Sequence, residues 1–396
     1  MIVADFRIYK RVTVSTKGGN ITIRDEKDGK LIGTKKQFVI HEGQFLLSKI
    51  DARNGAYGVV PAIAEGAIIT GNFWTYDVDY ERINPQFLTL VTKTQQFLDF
   101  AEKSSNGTTN RHYLQEEAFL NQQIPLPSIE EQKLILDDYN RHIESAIRKQ
   151  YKIESLAFDS QKLICNILGI KQKVSPKSES LLQFIHLTDT GSRWDALADT
   201  YAIESKYQIY NLGKFIIHIS TGTTPPTSHP EYFDGDVKFF TPADLGNNKY
   251  LEHSSRTITD IAIDDKKARV YHKGDILFVG IGSTVGKVGI VKDEMVSSNQ
   301  QITGFTIDSS KINPEYVYYY LLYNRDITTA DQSKTTLPIV NQDKICKIPI
   351  VVPPIKVQDE IVSSLDKMYL EAKRDEKEIT VLERKAISSF EHKIFD

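Results

Sequence analysis

Residues able to do covalent or metal chemistry are scarce in this sequence. Its nine histidines are scattered, with no HxH or HExxH spacing and no Cys/His cluster, so a zinc site has no support. The two cysteines, Cys165 and Cys346, lie far apart with no CxxC, which excludes a disulfide framework. There is no GxSxG nucleophile elbow and no GxxxxGK[ST] phosphate loop. Asn-Pro-Pro-Tyr and Asp-Pro-Pro-Tyr, expected of a chain that methylates a base amino group, are absent too. Carboxylate pairs such as Asp25-Glu26 and Glu130-Glu131 sit in charge runs that read as solvated surface. The expectation is a chain with no catalytic residues, no metal and no bound cofactor.

What remains is binding chemistry. Short polar loops carry hydroxyl, amide and cationic side chains, which suit phosphate oxygens and base edges and equally suit plain turns. In the first half the candidates are Lys35, Lys36, Lys49, Arg53, Thr108, Thr109, Asn110 and Arg111. In the second they are Thr223, Thr224, Lys238, Thr241, Lys287, Lys334, Thr335 and Thr336. Asn299-Gln300-Gln301 has the amides that adenine accepts, but it reads as the start of a strand and is left out. The Gly-rich run Phe278–Gly286 reads as a turn between strands rather than a cofactor loop.

Charge narrows this reading. The 396 residues carry 49 Lys+Arg against 52 Asp+Glu, a net charge of −3, which argues against a freestanding non-specific nucleic-acid binder. Residues 1–50 nevertheless hold ten basic and five acidic side chains, while later segments such as Glu130-Glu131 and Asp137-Asp138 are acidic. A basic module on an acidic spine permits local phosphate contact without global basicity. The composition, 40% hydrophobic and 26% charged, fits a soluble protein of two to four domains. The N-terminus lacks a secretory layout, so cytoplasm is expected.

The elements that must position these loops are written twice. His41–Val60 aligns without a gap on His272–Val291, an offset of 231. Ile83-Asn84-Pro85 matches Ile312-Asn313-Pro314 at 229, and Thr108-Thr109 matches Thr335-Thr336 at 227. Pro127–Gln132 matches Pro353–Gln358 at 226. Four ordered matches with drifting offsets mark an internal duplication. Each copy has short β-like runs, then a helix at the proline, then about 40 residues that read as one long helix. Ile135, Tyr139, Ala146, Ile153 and Leu156 form a heptad seam in the first. Ile361, Leu365, Met368, Ala372, Ile379 and Leu382 form it in the second. His142, the Lys149/Asp375 positions and the Ser160/Ser389 positions interrupt the seam. Such stripes need cover, and antiparallel pairing of the two helices supplies it. The first copy also starts late, short of about 40 residues of lead-in. Completion by another segment, completion by a partner, and a shorter variant all fit.

Together these features resemble the specificity subunit of Type I restriction-modification enzymes. Ile124-Pro-Leu-Pro127-Ser-Ile-Glu-Glu-Gln132 and, imperfectly, Val352-Pro353-Pro354-Ile-Lys-Val-Gln358 resemble the opening of the family's conserved helix. Gly43–Gly58 and Gly107-Thr-Thr-Asn-Arg111 resemble one class of target recognition domain. Gly222-Thr-Thr-Pro225, Thr241-Pro-Ala-Asp244-Leu245 and Ser283-Thr-Val-Gly286-Lys287 resemble another, and Ser192-Arg193-Trp194-Asp195-Ala196 resembles its lead-in.

The resemblance implies an α+β fold with an internal pseudo-two-fold repeat: two mixed α/β target-recognition modules joined by two long antiparallel coiled-coil helices. The implied layout is recognition at 1–125, long helix at 126–170, linker at 171–192, recognition at 193–350 and long helix at 351–396. Each module would read one half of a split, asymmetric site on double-stranded DNA. The helices would fix the spacing and dock methyltransferase subunits, which would hold S-adenosylmethionine for adenine N6 methylation, and a restriction subunit would add cleavage. Two other readings stay open: the specificity subunit of a fused restriction–methylation enzyme, and a coiled-coil scaffold that binds no DNA.

Overall fold

The computed structural model describes residues 1–16, 20–106, 113–172, 203–246, 248–329 and 338–395. The chain forms two compact units, Met1–Tyr151 with Asp375–Asp396, and Lys152–Arg374. Each unit therefore holds a β-rich module and part of both long helices, Ile129–Leu168 and Ile355–Phe395.

In the first unit, Ile21–Asp28, Ile8–Val14, Ile68–Ile69 and Phe38–Val39 form a four-stranded sheet in that order. A three-stranded sheet runs Tyr57–Val59, Phe45–Ser48, Phe73–Tyr76. All four residues of Phe45–Ser48 are buried, as expected of a central strand covered on both faces. In the second unit, Arg256–Ile258, Phe233–Phe240, Met295–Ser298 and Val270–His272 repeat the four-stranded order. Its other sheet has five strands: Ile216–Thr221, Ile302–Ile307, Ile276–Val279, Val288–Val291 and Tyr250–Leu251.

The duplication extends to the register. Phe45, Leu46 and Leu47 face Val59, Gly58 and Tyr57. Shifted by 231, Ile276, Leu277 and Phe278 face Ile290, Gly289 and Val288. Gly55 and Gly286, which close the intervening turns, have φ of 83° and 90°, the left-handed region where a β-carbon is strained. Asn84 caps the helix Pro85–Val91 through the amides of Gln86 and Phe87. Asn313 caps Pro314–Tyr323 in the same way, each with proline in the first turn.

One buried glutamine per unit joins module to long helix. Gln132 accepts from the Asn84 amide at 2.8 Å and donates to the carbonyls of Arg82 and Pro127 at 2.9 and 2.8 Å. Gln358 accepts from the Asn313 amide at 2.8 Å and donates to the Pro353 carbonyl at 2.8 Å. With both side chains essentially inaccessible, these bonds satisfy amides that burial would otherwise make costly.

The long helices pair antiparallel. In the first unit Tyr139 meets Phe390, Asp138 meets Ser389 and Lys393, and Lys149 meets Asp375, so one number falls as the other rises. In the second unit Lys152 meets Glu371 and Ser160 meets Met368, with the same reversal. None of the seam residues is exposed: Ile135, Ala146, Ile361 and Leu365 are buried, and Tyr139, Ile153, Leu156, Met368, Ala372, Ile379 and Leu382 are half-buried. The charged interruption is internally compensated. Lys149 and Asp375 occupy equivalent places in the repeat and form a 2.8 Å ion pair, with Asp375 almost fully buried.

In the second unit, six residues from Tyr316 to Leu321 are buried on all sides of their helix, which makes that helix the centre of the core. Lys249, 3% exposed, reaches Asp366 of the second long helix at 2.5 Å and Glu315 at 3.2 Å. The Ser192–Ala196 lead-in motif lies outside the described residues.

Candidate nucleic-acid interface

In each unit, loops between paired strands present the polar side chains. The tightest group is in the second unit, where the loops after Phe240, Val279 and Ser298 enclose a cleft of about 460 Å³. Thr241 lines it. Its amide and hydroxyl both donate to one carboxylate oxygen of Asp244 at 2.7 Å, and the other oxygen accepts from the Ser255 amide at 3.0 Å. Lys287 approaches the Pro242 carbonyl at 3.5 Å. The Thr223 amide donates to the Ser298 carbonyl at 3.1 Å, and the Thr224 hydroxyl to Gln300 at 2.6 Å. Gly222 makes this approach possible, because a β-carbon there would lie 2.3 Å from the Asn299 carbonyl oxygen. Thr223, Thr224, Thr241 and Lys287 are thus gathered around connected loops.

Lys238 lies apart from this group. It forms a 2.5 Å ion pair with Asp293 and is not among the cleft-lining residues, so its charge is locally matched. Conversely, Arg256, Ser283, Thr284, Asn299 and Gln301 line the cleft although they were not candidates. Strand Met295–Ser298 ends before Asn299 and the next begins at Ile302, so the amides occupy a loop rather than the start of a strand. Asn299 donates to the Gln301 side chain at 3.1 Å and accepts from the Gln301 amide at 3.1 Å, which fixes both side chains at the cleft wall. For Ser283 and Thr284 alone the repeat carries a signal, since they are the counterparts of Ala52 and Arg53 at the offset of 231.

In the first unit the same turn carries cations. Lys49 stands 4.8 Å over the Trp74 ring, and Arg53 lies in the single helical turn Ala52–Asn54. Lys35 and Lys36 belong to the loop before Phe38–Val39, on the other sheet. Lys35 is engaged by Asp5 at 2.5 Å and the Gly29 carbonyl at 2.8 Å, whereas Lys36 is exposed. Arg11 is likewise paired with Asp25, so the basic excess of residues 1–50 is partly tied up in local ion pairs. Thr108, Thr109, Asn110, Arg111, Lys334, Thr335 and Thr336 lie outside the described residues.

Among the described residues, no group of three or more His, Cys, Asp and Glu side chains could hold a metal ion. No helix there is long and apolar enough to cross a membrane.

Residues 7–155 and 204–384 match the family described as Type I restriction modification DNA specificity domain. The Type I restriction enzyme MjaIX specificity subunit of Methanocaldococcus jannaschii is 27% identical over 46% of this chain and 43% of its own length. This match therefore spans less than half of that relative. The HindI specificity subunit of Haemophilus influenzae is 22% identical over 92% of this chain and 90% of its own length. A solved chain from work on complex assembly and conformational transition of the type I R-M system covers 98% of this chain and 92% of its own, with a TM-score of 0.59 at 16% identity. That likeness bears on fold. With one matched stretch for each copy of the repeat, the chain belongs to the Type I restriction-modification DNA specificity family.

Proposed function

We propose that this chain is the DNA-reading subunit of a Type I restriction-modification complex, each module reading one half of a split, asymmetric site. The observation that carries the reading is one strand–turn–strand frame built twice with different side chains at the turn: Lys49 and Arg53 in the first unit, Ser283 and Thr284 in the second. A common frame with unlike polar tips is what reading two unlike half-sites requires.

In this proposal, Lys49 and Arg53 contact phosphate or guanine, and Lys36 contacts phosphate. Asn299 and Gln301 offer amides to adenine, and Arg256 offers its fork to guanine. The paired long helices set the gap between half-sites and dock methyltransferase subunits. Those subunits hold S-adenosylmethionine and methylate adenine, and a restriction subunit cleaves. This chain contributes recognition and no catalytic group. A net charge of −3 supports weak binding by the isolated chain, with affinity arising once partners close on the duplex.

The test is a mobility shift on duplexes carrying the site found by mapping methylated adenines, with and without co-expressed methyltransferase subunits. Sequence-selective binding that requires the partners is expected. No selective binding in either case would overturn the reading in favour of a scaffold.

A further inference from the structure

The two units differ most where the second has its lead-in. There, Ile209–Asn211 pairs antiparallel with Pro349–Val351, Tyr210 facing Ile350. The Val352 amide donates to the Gln208 carbonyl, and the Leu212 amide to the Ile348 carbonyl, both at 2.9 Å. Leu212 and Phe215, 0% and 4% exposed, enter the same core cluster as Tyr320 and Ile350. The chain then continues as Ile216–Thr221, the sheet edge against Ile302–Ile307.

Among the described residues, the first unit has the receiving surfaces without this strand. The counterparts of Pro349–Val351 at the offset of 226 are Gln123, Ile124 and Pro125, which belong to no strand. The counterpart of Ile302–Ile307 is Phe73–Tyr76, which is the edge of its sheet. Between Val91, the counterpart of Tyr320, and Gln123–Pro125 opens a cavity of about 380 Å³, also walled by Phe97 and Phe395. Leu126 is left 44% exposed.

The backbone there remains able to pair. Antiparallel bonding alternates, so with Val352 donating, Ile350 also donates and Val351 points away. Pro125 falls on the Val351 position and removes no ladder donor, while Ile124 and Leu126 keep theirs.

We propose that this cavity and its flanking segments are a docking site for an extended strand from another polypeptide. The strand would have the chemistry of Tyr207–Thr221: two apolar side chains spaced as Leu212 and Phe215, followed by a β-forming run. The argument is the repeat itself, since the equivalent surface in the second unit seats such a strand. A second copy of this chain is a poor donor, because withdrawing Leu212 and Phe215 would open one site for each site filled. The proposal concerns completion of the first module and does not depend on the DNA reading.

The test uses the full chain and a fluorescent peptide of residues 205–219, followed by polarisation and amide hydrogen exchange. Saturable binding at one peptide per chain is expected, with slowed exchange at 122–126 and 73–76. The peptide carrying Leu212→Asp and Phe215→Asp should bind at least tenfold more weakly. Leu126→Pro in the protein, which removes the amide donor at an exposed position, should weaken binding about tenfold relative to Leu126→Ala, which keeps it, with an unchanged circular dichroism spectrum. Absence of saturable binding, equal binding of the substituted peptide, or protection at 349–351 instead of 122–126 would each overturn the proposal. So would a dimer by light scattering that excludes the peptide, since the site would then belong to a second copy.

Discussion

Phe45–Val59 and Ile276–Ile290 are the same piece of structure carrying different information. Their strands pair in one register, and their turns close on glycines at nearly the same φ. Yet the first turn bears Lys49 and Arg53 where the second bears Gly280 and Thr284, and Ala56 stands where the second has Lys287. The strands cannot vary freely, because the central ones are buried on both faces and every side chain there must fit the packing around it. The turns project polar groups and bear no such constraint. The same contrast extends to the lead-in: the second unit packs Leu212 and Phe215 into its core, whereas the first leaves a cavity at the equivalent place.

The comparison can be broken most forcefully at that difference. Phe215→Ala should cost about 3–5 kcal/mol, because a fully packed ring is replaced by a void. Hydrogen exchange should accelerate at 302–307 and stay unchanged at 73–76; equal acceleration in both units would contradict the difference. Gln132→Ala and Gln358→Ala probe the likeness instead. Each removes a buried side chain that a half-buried cap amide donates to and should cost about 1–3 kcal/mol by denaturant midpoint, and unlike costs would show that the two joints are not equivalent. Asn299→Ala should relax discrimination at one base pair by about 1–3 kcal/mol if its amide reads adenine. Binding to a panel of single-base variants of the site would check this.

Two smaller effects follow. Hydrogen bonds from Lys393 and Ser389 hold the Asp138 carboxyl down to about 2. A depressed carboxylate stabilises the fold fully above the ordinary Asp value of about 3.9, and that contribution is lost as pH falls toward 2. Lys393→Ala should bring the Asp138 titration, followed by NMR, back toward the ordinary value; an unmoved titration would remove Lys393 as the cause. Lys49→Ala should lower the salt dependence of DNA binding by about one unit of slope if it meets one phosphate. Base preference should stay the same, and a changed preference would assign Lys49 to base reading.

The frame was more legible in the sequence than the site. Long seams, cap asparagines and the glycines at 55 and 286 depend on local patterns, and the repeat shows each of them twice. The Lys149 and Asp375 positions looked like faults in the seam, because each is unfavourable alone; only the antiparallel register shows that they face each other. The ion pairs of the candidates Lys35 and Lys238 are not visible in the sequence, since Asp5 and Asp293 are brought to them by tertiary folding. Asn299 and Gln301 were hidden by the apolar strands on either side, which made a three-residue loop look continuous with its neighbours.

The central claim is that one frame, used twice, reads two half-sites separately. It is tested by mapping methylated adenines in cells that express the methyltransferase partners with this chain or with a variant carrying Lys49→Ala and Arg53→Ala. The account predicts relaxed or altered bases in one half-site, with the other half-site and the gap unchanged. Simultaneous change in both half-sites, or a change in the gap alone, would contradict it.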